Sequence, residues 1–195
     1  MLNKLILASK SKVRKDILDK NNIESVVEPS NVDEEVVKLS LIKGGATPEN
    51  ISKNLAELKA NKVSIKKADQ LVLGADSVID LNGELISKPK NRDEALKILK
   101  KLNGKQHNLI SSVCFSKNGI MIWNYTDKAT LTMKNFEDEE LKNYLLKISD
   151  HDLYAYNVYQ IEGEGRKLFS KIEGDEDTIM GLPIKKIKDY LKNYE

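Results

Sequence analysis

Several common chemistries are excluded by what this chain of 195 residues has little of. Cys114 is its only cysteine, so no intrachain disulfide can form. It has two histidines, His107 and His151, which is thin material for a zinc site built on histidine. Neither charge dominates. The net charge is +2, which demands neither a nucleic-acid partner nor an anionic membrane surface. The apolar run near the N-terminus is far too short for a signal peptide or a membrane span. No repeat, low-complexity tract or linker divides the sequence, so residues 1–195 read as one domain of a cytoplasmic protein. The apolar fraction of 40% is ample for a core.

What is present concentrates in two short stretches. In the first, Lys4 to Ala8 is an apolar run of the kind buried on both faces of a sheet. It stops at Ser9, Lys10, Ser11 and Lys12, after which Val13, Ile17 and Leu18 recur at helical spacing. A helix starting there points its free N–H groups and positive dipole end at the turn. The serine hydroxyls and the Arg14 fork are suited to phosphate oxygens. They equally suit a plain helix cap with a solvated basic face.

In the second stretch, Gln70 to Ala75 reads as a buried strand that ends at Asp76. A lone aspartate at such a place is commonly a turn or cap residue, and also the type of group that binds a metal or takes a proton. Ala46-Thr47-Pro48-Glu49 reads as a helix start. The helix that follows should bury Ile51, Leu55 and Leu58, with Lys59 on its flank. Lys88 precedes Pro89, which holds it in an extended backbone.

With these residues in view, the chain resembles the Maf family of nucleoside triphosphate pyrophosphatases over nearly its whole length. The family's Leu-Ala-Ser-x-Ser-Pro-x-Arg opening is here Leu7 to Arg14, with Lys12 at the proline position. An acidic segment is matched by Asn31-Val32-Asp33-Glu34, and Leu-Ala-x-x-Lys-Ala by Leu55 to Ala60. Gly-Ala-Asp-Thr is here Gly74-Ala75-Asp76-Ser77, followed by Gly83 and Lys88-Pro89. Leu102 to His107, Glu162 to Gly165, Ile172 to Gly174 and Gly181-Leu182-Pro183 complete the series. Each motif is weak alone; their order and spacing make the signal specific.

The resemblance implies a fold and a reaction. The fold is an elongated, curved mixed β-sheet flanked by helices, in two lobes with a nucleotide cleft between them. The reaction is hydrolysis of a nucleoside triphosphate between the α and β phosphates, releasing the monophosphate and pyrophosphate. A divalent cation, Mg²⁺ or Mn²⁺, is the implied cofactor. Ser11, Arg14, Lys59 and Lys88 match phosphate-binding positions. Asp76 matches the proton acceptor or metal-bound base, and Glu34 the second metal-associated carboxylate. Mg²⁺ keeps several waters, so one or two carboxylates plus substrate phosphates suffice to hold it. The partner is the substrate, with no nucleic acid or membrane, in a chain compatible with a homodimer. The family is also linked to arrest of septum formation, so a nucleotide-binding regulator is the alternative; the paired carboxylates Glu34 and Asp76 favour catalysis.

Three positions depart from the family's specificity sets. Val13 stands where the uridine- and thymidine-nucleotide branch has Arg and the 7-methyl-GTP branch has Trp. Ser77 stands where those branches have Thr and Gln. Glu162 matches the 7-methyl-GTP branch. The chain therefore fits neither set completely. A carboxylate at Glu162 accepts hydrogen bonds and favours base edges with N–H donors or a cationic base; as a bland alternative it is a surface turn residue.

The rest reads as alternating elements. Asn91 and Glu94 form a capping-box pattern before a helix burying Ala95, Ile98, Leu99 and Leu102, which ends at Asn103-Gly104. Strand-like runs follow at 106–115, 119–124 and 127–133, then a helix with Leu141, Tyr144, Leu145 and Ile148 inward. A strand near 167–173 precedes a last helix opened by Pro183. Cys114, His107 and Trp123 are read as packing residues.

Overall fold

The computed structural model describes residues 4–194. The apolar run forms β1 (Leu5–Leu7), buried on both faces. Ser11 then caps α1 (Lys12–Lys20), its hydroxyl accepting the Arg14 N–H at 3.3 Å. β2 (Ser25–Val27), α2 (Glu34–Lys43) and α3 (Pro48–Ser64) follow. Next come β3 (Val72–Leu81), β4 (Glu84–Ile86) and α4 (Arg92–Leu102). A long hairpin, β5 (Gln106–Lys117) and β6 (Ile120–Met133), turns at Asn118-Gly119. Both turn residues have positive φ, as a two-residue hairpin loop requires. The chain closes with α5 (Asp138–Leu146), α6 (Asp150–Tyr156), a short 3₁₀ turn, β7 (Phe169–Glu173), α7 (Glu176–Ile179) and α8 (Ile184–Tyr194).

The strands make one mixed sheet in the order β2-β1-β3-β5-β6-β7, with β4 also paired to β3. β1 is parallel to both of its neighbours, and the other pairs are antiparallel. The α/β class with a mixed sheet flanked by helices is as expected. One apolar cluster gathers Leu99, Leu102, Leu131, Leu141 and Leu153. Another gathers Leu7, Leu18, Leu73, Phe115 and Ile187. A cleft whose lining draws on the neighbourhood of both runs between them.

Three expectations need correcting. β3 does not end at Asp76; it runs on to Leu81, and Asp76 pairs with Ser112 of β5. The polar residues look like a strand end only until their partners are seen. Leu58 is 38% exposed, whereas Lys59 is 5% exposed. The buried face of α3 passes through Ile51, Leu55 and Lys59, and through Ser52, Ala56, Ala60 and Val63. The reason is Gly74: a Cβ there would meet the Ala56 carbonyl oxygen at 2.2 Å and the Ala60 nitrogen at 2.7 Å. Helix and strand approach backbone to backbone at that point, which turns Lys59 inward and Leu58 aside. The runs at 119–124 and 127–133 are a single strand: Tyr125 and Thr126 between them stay paired with Val113 and Ser112 of β5.

His107 is a packing residue with a consequence for stability. Its Nε2 lies 2.9 Å from the Tyr159 hydroxyl, and its Nδ1 is buried without a partner. Burial lowers its pKa to about 4. The unfolded chain takes up this proton near pH 6.5, the folded chain only near pH 4. Stability should therefore fall as pH drops through that window, by up to about 3 kcal/mol from this residue. Urea melts at pH 7 and pH 4.5 check it. His107→Gln should flatten the difference; an unchanged difference would place the acid sensitivity elsewhere.

Candidate active site

The site is built where four elements meet. β3 supplies Asp76 and Ser77 from its centre, and the turn after β1 with the first residues of α1 supplies Ser9 to Arg14 beside it. α3 supplies Lys59, and α2 supplies Glu34 as its first residue, with Asp33 as the N-cap. The cleft holds about 600 Å³, a volume in the range of small-molecule sites. Ser11, Val13, Arg14, Glu34, Lys59, Asp76, Ser77, Lys88 and Glu162 all line it. Every site residue expected from the sequence thus faces one space.

At its floor lies an ionic triad centred on a buried lysine. Lys59 Nζ is 2.8 Å from Asp76 Oδ1 and 2.8 Å from Glu34 Oε1. The Lys59 and Asp76 side chains are 7% and 5% exposed, that of Glu34 41%. Burial alone would raise the Glu34 pKa. The charge and hydrogen bond of Lys59, with Lys38 and Lys88 further off, hold it below the ordinary carboxylate value. Asp76 Oδ2 is buried and has no hydrogen-bond partner. An orphaned carboxylate oxygen beside a second carboxylate is a donor set that fits a hard divalent cation completed by substrate oxygens and water. Among the described residues no group of three or more His, Cys, Asp or Glu side chains could hold an ion by itself.

Arg14 differs from the free phosphate fork its sequence position suggests. Its Nε donates to the Gly181 carbonyl at 2.9 Å. Nη1 donates to Ser9 Oγ at 3.1 Å and to the Ala75 carbonyl at 3.0 Å, and Nη2 to Ser77 Oγ at 3.0 Å. Four of its five N–H bonds are therefore engaged within the protein, leaving one for a ligand. Burial lowers its pKa, against the attraction of Asp76 and Glu34. The network continues inward. Ser111 donates to the Thr178 carbonyl at 2.7 Å, so Ser77, 2.8 Å away, must be the donor to Ser111. Gly181 closes this ring of contacts at φ +98, with the Ser77 hydroxyl 3.0 Å from where its Cβ would be. The Gly181-Leu182-Pro183 motif is thereby explained as the seat for Arg14.

A family model described as Maf-like protein matches residues 4–194. The chain belongs to the Maf family. A nucleoside triphosphate pyrophosphatase of Pelagibacter ubique (strain HTCC1062) is 72% identical over 192 residues, covering 98% of each chain. A 7-methyl-GTP pyrophosphatase of Brucella abortus biovar 1 (strain 9-941) is 38% identical, covering 94% of this chain and 92% of its own. Among solved structures, a HAM1 protein from Coxiella burnetii matches 68% of this chain and 73% of its own, at a TM-score of 0.46 and 16% identity.

In this Maf chain the three positions that depart from the family's sets differ in their surroundings. Val13 is half-buried and packs against the second apolar cluster. Ser77 is held by Arg14 and Ser111. Glu162 is exposed at the cleft wall. Lys88 is exposed as well and donates to the Ala155 carbonyl at 2.6 Å. Desolvation in the crowded cleft lowers its pKa, while Glu34 raises it. The site also contains residues that sequence reading missed. Lys38, on α2, lies 3.8 Å from Glu34 and lines the cleft. Tyr156 lines it from α6. Neither helix was legible: α2 buries no residue, so its apolar positions trace no core-facing stripe, and α6 has a single fully buried residue, Leu153. No helix among the described residues is long and apolar enough to cross a membrane.

Proposed function

We propose that this protein is a nucleoside triphosphate pyrophosphatase that cleaves between the α and β phosphates with the help of Mg²⁺ or Mn²⁺. The observation that carries the reading is the triad: two carboxylates on one buried lysine, with Asp76 Oδ2 unpartnered, beside a helix N-terminus in a cleft. The 72% identity to a nucleoside triphosphate pyrophosphatase over nearly the whole chain supports the same reaction.

On this reading the start of α1, with Ser11 and the neighbouring lysines Lys10 and Lys12, takes the phosphates. Lys88 and Lys38 neutralise charge as it moves onto the departing pyrophosphate, the stabilisation that dominates phosphoryl chemistry. Asp76, reached by Glu34 through Lys59, takes the proton of the attacking water. Asp76 and Glu34 would also hold the cation, which polarises phosphate oxygens and makes bound water more acidic when present. Arg14 keeps Ser9, Ser77 and Gly181 in register and offers one remaining N–H. Modified or excess nucleotides are the expected physiological substrates, in the cytoplasm.

The purified protein should release pyrophosphate from at least one nucleoside triphosphate when Mg²⁺ or Mn²⁺ is supplied, and stop when EDTA is added. No release across canonical and modified triphosphates with either metal would sink the enzyme reading and favour a nucleotide-binding regulator.

Base preference follows from Glu162. The protein should be a poor thymidine- and uridine-triphosphate enzyme, and Glu162→Gln should change the ranking of bases. Glu offers acceptors alone, whereas Gln adds a donor. A site that hydrogen-bonds a base discriminates because a mismatch leaves polar groups unpaired. kcat/KM for the four common triphosphates and 7-methyl-GTP checks this. A uniform fall across all five would assign Glu162 to the phosphates or the fold.

A further inference from the structure

The geometry points to Tyr156 as the platform on which the substrate's base stacks, with Glu162, which lines the same cleft, to accept the base's N–H groups. This rests on the pyrophosphatase reading and adds the residue that holds the other end of the nucleotide. The segments that supply the phosphate end, Ser9 to Arg14 with Lys59 and Lys88, carry cations and hydroxyls and no aromatic side chain. Stacking on an aromatic ring is the sequence-tolerant way to hold a base.

Three ring side chains line the cleft: His151, Tyr156 and Tyr159. Tyr159 belongs to the core. It is 6% exposed, its hydroxyl is bonded to His107, and it meets the Phe169 ring edge-on at 4.8 Å. His151 stands outermost, with its side chain 81% exposed. Tyr156 lies between these extremes, half-buried, with the His151 ring 6.5 Å away in an edge-on arrangement. Of the three it is the ring that lines the cleft while neither sunk in the core nor standing free in solvent.

Polar contacts anchor its helix at both ends. At the start of α6, Arg92 pairs with Asp150 at 2.7 Å and donates to the Leu145 and Ile148 carbonyls at 2.8 Å each. At its end, Lys88 donates to the carbonyl of Ala155, the residue before Tyr156. The residue after it, Asn157, has φ 73 and ψ −162, a backbone region left almost entirely to glycine. Its side chain accepts the Val158 N–H at 2.9 Å, and the Val158 carbonyl accepts the Tyr144 hydroxyl at 2.9 Å. Such strain persists only where the surroundings over-determine it, and it gathers at ligand clamps. A ring fixed before the ligand arrives loses little freedom on binding.

Two links tie Tyr156 to the rest of the site. Lys88 joins its helix to the phosphate end. Burial raises the pKa of the Tyr156 hydroxyl, with further contributions from the charges of Asp152, Glu162 and Asp16, so Glu162 is near enough to be felt there. A ring and a carboxylate together suit an electron-poor or positively charged base that carries N–H donors.

The test compares Tyr156→Ala and Tyr156→Phe with the wild type. KM and kcat are measured for each triphosphate the wild type uses, together with the inhibition constant of pyrophosphate, which has no base. Tyr156→Ala should raise KM about tenfold or more, with kcat moving less and pyrophosphate inhibition unchanged. Tyr156→Phe, which keeps the ring, should stay within about twofold of wild type. Wild-type KM in the Ala variant overturns the proposal. So does an equal weakening of pyrophosphate inhibition, which would place Tyr156 at the phosphates, or a Phe variant as poor as Ala, which would make the hydroxyl the active part. If thermal melting shows the Ala variant misfolded, Tyr156→Leu keeps bulk without a π face and carries the same expectation. If the wild type turns over no triphosphate, the function itself fails. Dissociation constants of the same variants for ATP and GTP, measured calorimetrically in EDTA, then judge Tyr156 separately.

Discussion

Asp76→Asn is expected to reduce turnover by roughly a hundred- to ten-thousand-fold while the fold survives. The substitution keeps shape and removes charge. In the wild type Asp76 Oδ1 accepts from Lys59 at 2.8 Å, and an asparagine carbonyl can accept the same bond. The strand around it is held by other means: β3 pairs with β5 from Val72 to Asp80, and the Ser52 hydroxyl donates to the Asp76 main-chain carbonyl at 3.1 Å. Neither depends on the carboxylate. What disappears is the proton acceptor and, at the unpartnered Oδ2, an anionic oxygen for a cation. The measurement is pyrophosphate release under saturating metal and substrate, alongside a thermal melt. Near-normal rates with an unchanged melt would make Asp76 structural and leave the mechanism without its base. A collapsed melt would instead mean that the sheet depends on this carboxylate, contrary to the pairing described above.

The site was legible in the sequence to the extent that its residues sit at the ends of recognisable elements or in motifs of fixed spacing. Asp76, Lys59 and Glu34 come from three segments, and the structure joins them through one ammonium group. Pattern alone placed Lys59 on a helix flank. Its burial follows from Gly74, whose missing side chain lets α3 down onto β3, a long-range effect that no helical periodicity contains. Arg14 illustrates the opposite failing. Its residue type suggests a phosphate fork, but its partners include two main-chain carbonyls, from Ala75 and Gly181, far away in sequence. Side-chain identity was readable there and its engagement was not. α2 and α6 were missed because helices that rest on the protein's surface trace no strong apolar stripe. Between them they carry Glu34, Lys38, His151 and Tyr156, so much of the cleft's outer wall lay in the least legible part of the chain.

Lys59→Met should have the largest effect on stability of any single change in the site. Methionine matches much of the lysine's volume and keeps its apolar contacts along α3, so the loss is one of charge. It leaves Asp76, 5% exposed, with neither side-chain oxygen bonded to a cation. Breaking a buried ion pair by removing one partner typically costs about 3–5 kcal/mol, because the remaining charge is stranded. Glu34 adds little to this figure, since its 41% exposure lets water screen it. At about 2–4 °C per kcal/mol for a chain of this size, the melt should fall by roughly 10 °C, measured in EDTA so that no divalent ion replaces the ammonium. The double variant Lys59→Met/Asp76→Asn separates charge from packing. Neutralising the stranded carboxylate should restore much of the lost stability, so the two changes together should cost clearly less than Lys59→Met alone. Activity should not return, because the double variant lacks both the cation and the base. A Lys59→Met protein that melts with the wild type would show that Asp76 is held by solvent or by rearranged neighbours. A double variant as unstable as the single would show that α3 needs the lysine stem and not its charge. Either result would remove the triad as the electrostatic centre of the site.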